Sequence, residues 1–353
     1  MSVGKQGEPD SAGEQTRLRP GKLPAALLRE LLAELPAPDP RLLIGPGIGE
    51  DAAVISFGST DLIAKSDPVT FATDLIGWYA VHVNANDIAA TGGTPRWFLP
   101  TVFLPEGESE DTARQIFRQL KEAASGIGVT LAGGHTEITS AVTRPVVAGS
   151  MLGEAPHGRA VSTAGAMPGD DLVLTKGIAI EGTAILAREL AAELRERGVS
   201  RETLDKAAKL LFSPGISVLS DAQTAIGAGG VTAMHDPTEG GLATALAELA
   251  EASNVGLTVY EDTVTVLPES RLICDALGVD PWGLISSGAL LIACGPGSSA
   301  GIVGALRASG VSATVIGTAE EPVHGLRLVS SRTGNPAPLP VFERDEIARV
   351  FGS

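Results

Sequence analysis

Strand-like and helix-like patterns alternate along this chain in two successive halves, which limits it to an architecture of mixed strands and helices. In the first half, apolar strand patterns at 52–57 and 96–104 alternate with helical stripes at 74–91 and 111–125. A second alternating pattern follows, so each half has enough strands and helices to form its own core. The sequence therefore predicts two domains rather than one continuous sheet.

The boundary between the halves is predicted at about residues 160–169, where the composition changes to Ser, Thr, Gly and Pro. The polar N-terminal segment contains few apolar residues and is predicted to be disordered. The predicted organisation has four parts: a disordered N-terminal tail at 1–20, a first domain at 21–160, a second domain at 161–335 and a C-terminal tail at 336–353.

Composition excludes several classes of function. Among 353 residues, 42 are acidic and 26 are basic, for a net charge of −16. Such an acidic chain is a poor candidate for binding nucleic acid or a membrane surface, and no apolar run reaches the ~20 residues of a membrane span. The two cysteines, Cys274 and Cys294, have no metal-binding spacing. We expect a cytoplasmic protein without disulfides, nucleic acid or membrane partners.

Acidic residues recur beside glycine turns and on a predicted helix of the first half. They are Asp51, Asp67, Asp87 and Glu137. Carboxylate oxygens are the ligands that Mg²⁺ prefers, and no lysine-containing phosphate loop is present. The pattern predicts a polyphosphate held through divalent metal. Taken singly, each acid could instead be a turn, capping or solvent-facing residue.

Polar and glycine residues next to these acids are candidates for positioning phosphates. Asn84 lies three residues before Asp87, so both side chains leave one face of the predicted helix. Glycines allow a backbone to approach a ligand closely. The phosphate-positioning candidates are Asn84, the glycines Gly47, Gly49, Gly133 and Gly134, and His135. A structural role for His135 stays open.

The second half contains one strong candidate segment, 235–241, immediately before an apolar helix. A helix N-terminus offers free backbone N–H groups and the positive end of the helix dipole, which suits an anion. Gly240 and Gly241 are therefore candidates for binding the anion, and His235, Asp236 and Glu239 are candidates for catalytic roles. A helix start without a ligand is the alternative. Lys176, at the end of a predicted strand, is a further catalytic candidate, although a solvated lysine is an equal alternative.

Taken in order, these motifs resemble the AIR synthase-like (PurM-like) superfamily over about residues 40–330. The segments that carry the resemblance are Gly47–Val54, Ser66–Val69, Asn86–Pro95, Gly133–Glu137 and His235–Gly241. As an ordered set they are specific, and Leu174–Gly177 together with the last segment is most similar to the HypE-like branch.

The resemblance implies a two-domain PurM-like fold: an N-terminal α/β domain whose sheet forms a dimer barrel, and a C-terminal α+β domain. It implies a homodimer that binds ATP and Mg²⁺ and phosphorylates an amide, carboxylate or hydroxyl oxygen of a small molecule or of a protein side chain. A role in hydrogenase maturation is one expectation. The alternatives are a small-molecule kinase resembling thiamine-monophosphate kinase, and a nucleotide-binding maturation or regulatory protein without turnover.

One departure concerns the tail. HypE-like proteins end in a cysteine that carries the group to be dehydrated, whereas residues 339–353 contain none. Phe342, Ile347, Val350 and Phe351 instead form a partly amphipathic pattern. We predict that this tail docks as a short helix.

Overall fold

The computed structural model describes residues 18, 21–72, 74–330 and 335–352. Except for Leu18, the predicted disordered segment lies outside this range. The described first half begins with α1 (Ala25–Ala33) and also contains α2 (Ile76–Ala90) and α3 (Glu110–Gly126). Its strands are β1 (Leu42–Ile44), β2 (Ala53–Phe57), β3 (Thr60–Val69), β4 (Thr94–Pro105), β5 (Thr130–Leu131), β6 (His135–Thr139) and β7 (Val146–Pro156).

These strands form one sheet in the order β1-β2-β3-β7-β4-β5, and β6 also pairs with β4. Long antiparallel pairs link β3 to β7 and β7 to β4, while β5 and β6 run parallel to β4. Alternate residues of a strand point to opposite faces. One face, with Phe98 and Met151, is fully buried, whereas Trp97 on the other is 37% exposed. We call the second face the open face.

Helix α2 lies at the centre of the molecule, because it is apolar on nearly all sides. Every residue of α2 except Trp78 is buried, including Asn84, Asn86 and Asp87. A helix that is apolar all round packs between layers rather than on a surface. Asn86 Nδ2 donates to Ile216 O at 2.7 Å, and Asn86 Oδ1 accepts from Val218 N at 2.9 Å. Thus α2 connects the first sheet to the second half.

The second half contains a second sheet, in the order β14-β13-β10-β12-β8-β11-β9. Its strands are β8 (Asp171–Thr175), β9 (Val231–His235), β10 (Gly256–Tyr260), β11 (Leu291–Cys294), β12 (Ala313–Glu320), β13 (Leu326–Val329) and β14 (Pro336–Pro338). Its helices are α4 (Ile180–Glu189), α5 (Ala191–Glu196), α6 (Arg201–Lys209), α7 (Leu219–Ala228), α8 (Gly241–Ser253), α9 (Pro268–Leu277), α10 (Ser299–Ala308) and α11 (Glu346–Phe351).

The segment 282–285 packs against the starts of both α4 and α8, and two glycines allow this contact. A Cβ on Gly182 would lie 2.4 Å from Leu284 Cγ, and a Cβ on Gly241 would lie 2.4 Å from Trp282 O. Gly241 also has φ +62°, which favours glycine. The two glycines therefore bring both helix starts to one segment of chain.

The C-terminal tail docks as predicted, with α11 covering Glu346–Phe351. Ile347 is fully buried in the main core. Asp345 Oδ2 accepts a hydrogen bond from Gly240 N at 2.6 Å, and Asp345 Oδ1 caps the helix by accepting from Ile347 N at 2.7 Å. The tail thus contacts the segment that leads into α8.

Strand β3 continues past Lys65 through Asp67 and Pro68 to Val69. Pro68 is half exposed and pairs in register with Ala148. Because the pairing with β7 is long, it outweighs the local strand-breaking tendency of proline. Asp67 is consequently held in the middle of a sheet rather than on a loop.

Candidate functional site

Three carboxylates meet where the two halves of the chain face each other. Asp51 precedes β2, Asp87 lies on α2, and Asp236 follows β9. One carboxylate oxygen from each lies within 4.8 Å of the others, and all three residues are buried. The sequence suggested Asp51 and Asp87 as metal ligands but assigned Asp236 to catalysis. The structure groups Asp236 with the other two.

Most oxygens of this cluster have no protein partner. Among the described residues, Asp51 Oδ2, Asp87 Oδ2 and both oxygens of Asp236 are buried without a hydrogen bond. Buried, unpaired carboxylate oxygens are strongly disfavoured unless a cation compensates them. A set of hard oxygen donors at this spacing suits Mg²⁺, which binds oxygen at about 2.1 Å. The cluster therefore has the donors that a divalent metal needs.

The electrostatics of the cluster agree with this assignment. Burial raises the pKa of Asp87 to about 8, partly opposed by Lys65, while Asp67 and Asp51 raise it further. Burial, followed by the charges of Asp87 and Asp51, raises the pKa of Asp236 well above its usual value. Without a metal, the three carboxylates cannot all be charged at low cost.

Two lysines border the cluster. Lys65 on β3 places Nζ 3.1 Å from Asp87 Oδ1. Lys22 places Nζ 3.2 Å from Glu248 Oε1 on α8. Both lysines line the same cavity as the acids and the glycine loop 47–49. Lysine ammonium groups in a cleft with metal-binding acids are well suited to bind phosphate oxygens.

His235 lies between two carboxylates. Its Nδ1 is 2.7 Å from Asp51 Oδ1, as an ion pair without the alignment of a hydrogen bond, and its Nε2 is 3.0 Å from Glu248 Oε2. Burial lowers the pKa of His235, but Asp51 and Glu248 outweigh burial and raise it to about 10. The raised pKa favours the protonated imidazolium, which lies against Asp51 and Glu248. This position suits the orientation of Asp51, and the catalytic role of His235 stays a prediction.

Asn84 holds β3 against α2. Asn84 Oδ1 accepts from Asp67 N at 3.0 Å, and Asn84 Nδ2 donates to Asp67 O at 3.2 Å and to Ala80 O at 2.9 Å. These contacts use the amide on the protein backbone, so Asn84 positions Asp67. The side chain of Asp67 lines the cavity, where burial raises its pKa and Lys65 opposes the change.

The predicted glycine loop also reaches the site. Gly47 and Gly49 line the cavity beside Asp51. Gly49 has φ +78°, and a Cβ there would lie 3.0 Å from Glu248 Cβ. The loop can therefore lie directly against α8 only because this residue is glycine.

Glu137 and His135 are not brought to the acid cluster within one chain. On β6, Glu137 pairs in register with Phe103 and His135 with Thr101, which places both on the open face. Asp87 lies on the helix that packs against the opposite face. Gly134 lies close to β4, where a Cβ would be 2.2 Å from Pro100 O, and Gly133 lies beside Leu99. The roles of these four residues therefore stay predictions.

The structure also places Lys176 and the paired glycines differently from expectation. Lys176 Nζ lies 3.0 Å from Asp221 Oδ2 and donates to Ser217 O at 2.6 Å, so its charge is used in a structural contact. Gly240 donates its N–H to Asp345, and Gly241 packs on segment 282–285. These contacts do not support the predicted catalytic and ATP-binding roles. Glu239, by contrast, lines a cavity next to the cluster.

Sequence reasoning missed Lys22, Lys65, Glu248 and Glu181. For Lys65 a signal existed: Lys65 and Asp67 are two apart on one strand and so share a face. Glu248 and Glu181 lie on helices with many apolar residues, where an isolated acid could have been noted. Both cysteines are buried, and burial raises the pKa of each thiol to about 12, so neither is a reactive thiolate.

Comparison with known families gives two adjacent matches. Residues 49–155 match the AIR synthase related protein N-terminal domain, and residues 167–328 match the AIR synthase related protein C-terminal domain. Together the matches cover most of the chain and both halves of the candidate site.

Curated relatives are similar over most of their length. A hydrogenase expression/formation protein of Methanocaldococcus jannaschii is 27% identical over 316 residues, covering 84% of this chain and 90% of that protein. Carbamoyl dehydratase HypE of Cupriavidus necator is 29% identical over 246 residues, covering 68% of this chain and 66% of that protein.

Solved structures share the fold. Hydrogenase maturation protein HypE in complex with ATP superposes with a TM-score of 0.70 at 23% identity, covering 88% of this chain and 92% of that one. Thiamine monophosphate kinase from Aquifex aeolicus gives 0.64 at 19% identity, with coverages of 89% and 97%. The two-domain PurM-like fold is thereby confirmed. In the part of the chain that the structure describes, no helix has the length and apolarity to cross a membrane.

Proposed function

Because this chain belongs to the AIR synthase related family, we propose that it is an ATP-dependent enzyme that uses Mg²⁺ to phosphorylate a substrate oxygen. The single observation that carries the proposal is the cluster of unpaired carboxylate oxygens on Asp51, Asp87 and Asp236. Similarity to solved structures supports it, since one of them is HypE in complex with ATP and another is AaThiL in complex with AMPPCP and TMP.

Each residue of the site has a definable task in this reaction. Asp51, Asp87 and Asp236 would hold Mg²⁺, which would neutralise phosphate charge when bound. Lys22 and Lys65 supply further positive charge at the cavity wall. In the transfer, a substrate oxygen forms a bond to the γ-phosphorus of ATP while the bond between that phosphorus and the ADP oxygen breaks. The contributions of this chain are positioning and charge neutralisation.

The transferred phosphate can have either of two fates. Relatives named carbamoyl dehydratase favour a reaction in which the phosphorylated oxygen leaves as inorganic phosphate, within hydrogenase maturation. The thiamine monophosphate kinase fold neighbours favour a stable phosphorylated product. The proposed reaction covers both, and an assay that separates free phosphate from phosphorylated product distinguishes them.

The first prediction concerns the metal. ATP binding, measured by titration calorimetry, should weaken more than ~100-fold when EDTA replaces Mg²⁺, because like charges a few ångströms apart repel by several kcal/mol in a protein cleft. The same titration with Ca²⁺ in place of Mg²⁺ tests whether any divalent cation supports ATP binding by neutralising the carboxylates. Equal affinity with and without divalent metal would contradict the assignment of the acid cluster.

The second prediction concerns assembly. We propose a homodimer formed through the open face, which is lined by Ile55, Leu62, Trp97, Leu99 and Leu152. An apolar sheet face of this kind requires cover. We expect Leu99→Asp to convert a dimer to a monomer in light scattering at micromolar concentration. Leu272→Asp, at a residue 51% exposed on α9, is the matched control. A monomeric wild-type protein would rule out this interface.

A further inference from the structure

A second cavity adjoins the acid cluster and opens to solvent. It shares Lys22, Asp67 and Thr238 with the lining of the proposed phosphate cavity. The rest of its wall is mainly apolar: Val69, Phe71, Ala72, Val83, Ile185 and Ile285. A molecule in this second cavity would therefore extend from the phosphate site into apolar surroundings.

Glu181 lines this cavity and is not used by the proposed phosphoryl transfer. It lies in the first turn of α4 and is only 4% exposed. Its Oε2 has no hydrogen-bond partner among the described residues. Gly182, as noted above, allows segment 282–285 to pack against this turn, and Gly182 N donates to Ile285 O at 3.0 Å. Glu181 is thus a buried acceptor at the cavity wall, with the Ser287 hydroxyl beside it.

Acidic residues outnumber basic ones in the lining of this cavity. Asp67 and Glu239 line the same cavity, and Lys22, the cation that lines it with them, is paired with Glu248. Burial raises the pKa of Glu181 to about 7; the Ser287 hydroxyl opposes this change, and the charges of Asp345, Glu239 and Asp67 add to it. A positive charge in the cavity would relieve the repulsion among these acids.

We propose that this cavity binds the acceptor substrate and that the substrate carries a protonated amine, which pairs with Glu181. The inference rests on the proposed function, because it places the acceptor oxygen at the Asp67 end of the cavity, next to the phosphates. A neutral N–H donor would satisfy Glu181 Oε2 but would leave the acidic residues of the lining in excess over Lys22. The apolar wall selects an amine that carries an aliphatic or aromatic body.

The test compares 2-phenylethylamine with 2-phenylethanol, which has the same number of heavy atoms and no charge. Binding of each to the full chain, saturated with Mg²⁺ and ADP, is measured by ligand-observed NMR titration. We expect the amine to bind at least about tenfold more tightly, as a charge-assisted hydrogen bond predicts. Glu181→Gln should remove this preference, whereas Glu196→Gln, at an exposed acid on α5, should keep it.

Binding of Mg²⁺-ADP to each variant is measured separately and should be the same in Glu181→Gln as in the wild type. This measurement also shows that the variant is folded. Equal affinity for amine and alcohol, no binding of the amine, or a preserved preference in Glu181→Gln would each overturn the inference. If the wild-type protein did not bind Mg²⁺-ADP at all, the proposed function would be refuted. A preference for the amine that depends on Glu181 could still be observed in that case, so the two failures are distinguishable.

Discussion

We expect Asp236→Asn to abolish ATP turnover while raising the stability of the metal-free protein. Both oxygens of Asp236 are buried without partners, beside Asp51 and Asp87. Asparagine removes one charge, and its amide can donate to the neighbouring carboxylates. The gain should be about 1–3 kcal/mol, the usual cost of an unsatisfied buried group. Turnover should fall ~100-fold or more because a charge that stabilises the transition state is lost.

The pH dependence of this gain has a definite sign. The pKa of Asp236 is raised in the folded state, so the folded protein binds the proton more tightly than the unfolded chain. Below the unfolded pKa, near 4, the carboxyl is neutral in both states, and the wild type and the variant should differ little. As pH rises above 4 toward neutrality, the wild type loses stability relative to the variant.

Thermal unfolding in EDTA at pH 4 and pH 7.5, together with an ADP-release assay in Mg²⁺, measures both effects. Asp205→Asn, at an exposed acid on α6, is the control that should change neither. Asp87→Asn should lose turnover to the same extent, with a smaller stability gain because Lys65 loses its partner. A variant of Asp236 that keeps wild-type turnover would exclude this residue from the metal site.

The second large effect concerns the tail. Truncation after Leu339 should destabilise the protein by at least about 3 kcal/mol, because it removes the buried side chain of Ile347 and the packing of Phe342 against Gly283. The turnover rate per folded molecule should change little, since the metal cluster itself lies outside the tail. Denaturant unfolding and single-turnover rates, normalised to folded protein, measure the two quantities.

Two point variants identify which tail contact matters. Ile347→Ala should cost about 2–5 kcal/mol through the cavity it leaves, whereas Val341→Ala, at a residue 90% exposed, should cost little. Asp345→Ala removes the carboxylate that accepts a hydrogen bond from Gly240 N. This variant therefore tests the contact between the tail and the segment that precedes α8. If truncation abolishes turnover without changing stability, the tail is part of the catalytic machinery and the proposed docking role is wrong.

The sequence predicted those parts of the site that depend on residues close together along the chain. Glycine next to acid at Gly49 and Asp51, and an amide and an acid on one helix face at Asn84 and Asp87, are local signals. The alternation of patterns likewise predicted two mixed domains. These features need only spacing along the chain, and the structure keeps them.

What could not be predicted depends on pairing between distant segments. Glu137 was grouped with the other acids, but the parallel register of β6 with β4 places it on the open face. The register of a strand is set by its partners, and a shift of one residue would reverse the face. Similarly, Lys176 is paired with Asp221, which lies far along the chain and which no local pattern connects to it.

The contact between Asp345 and Gly240 also has a consequence for synthesis on the ribosome. The two residues are separated by 105 positions, so the segment that contains His235 and Asp236 is made well before its anchor. At typical translation rates the interval is about 5–20 s. During that time the start of α8 has no partner for one buried N–H, and the acid cluster lacks its final support. A nascent chain should therefore acquire competence for nucleotide late, after the strands and helices of both domains have emerged.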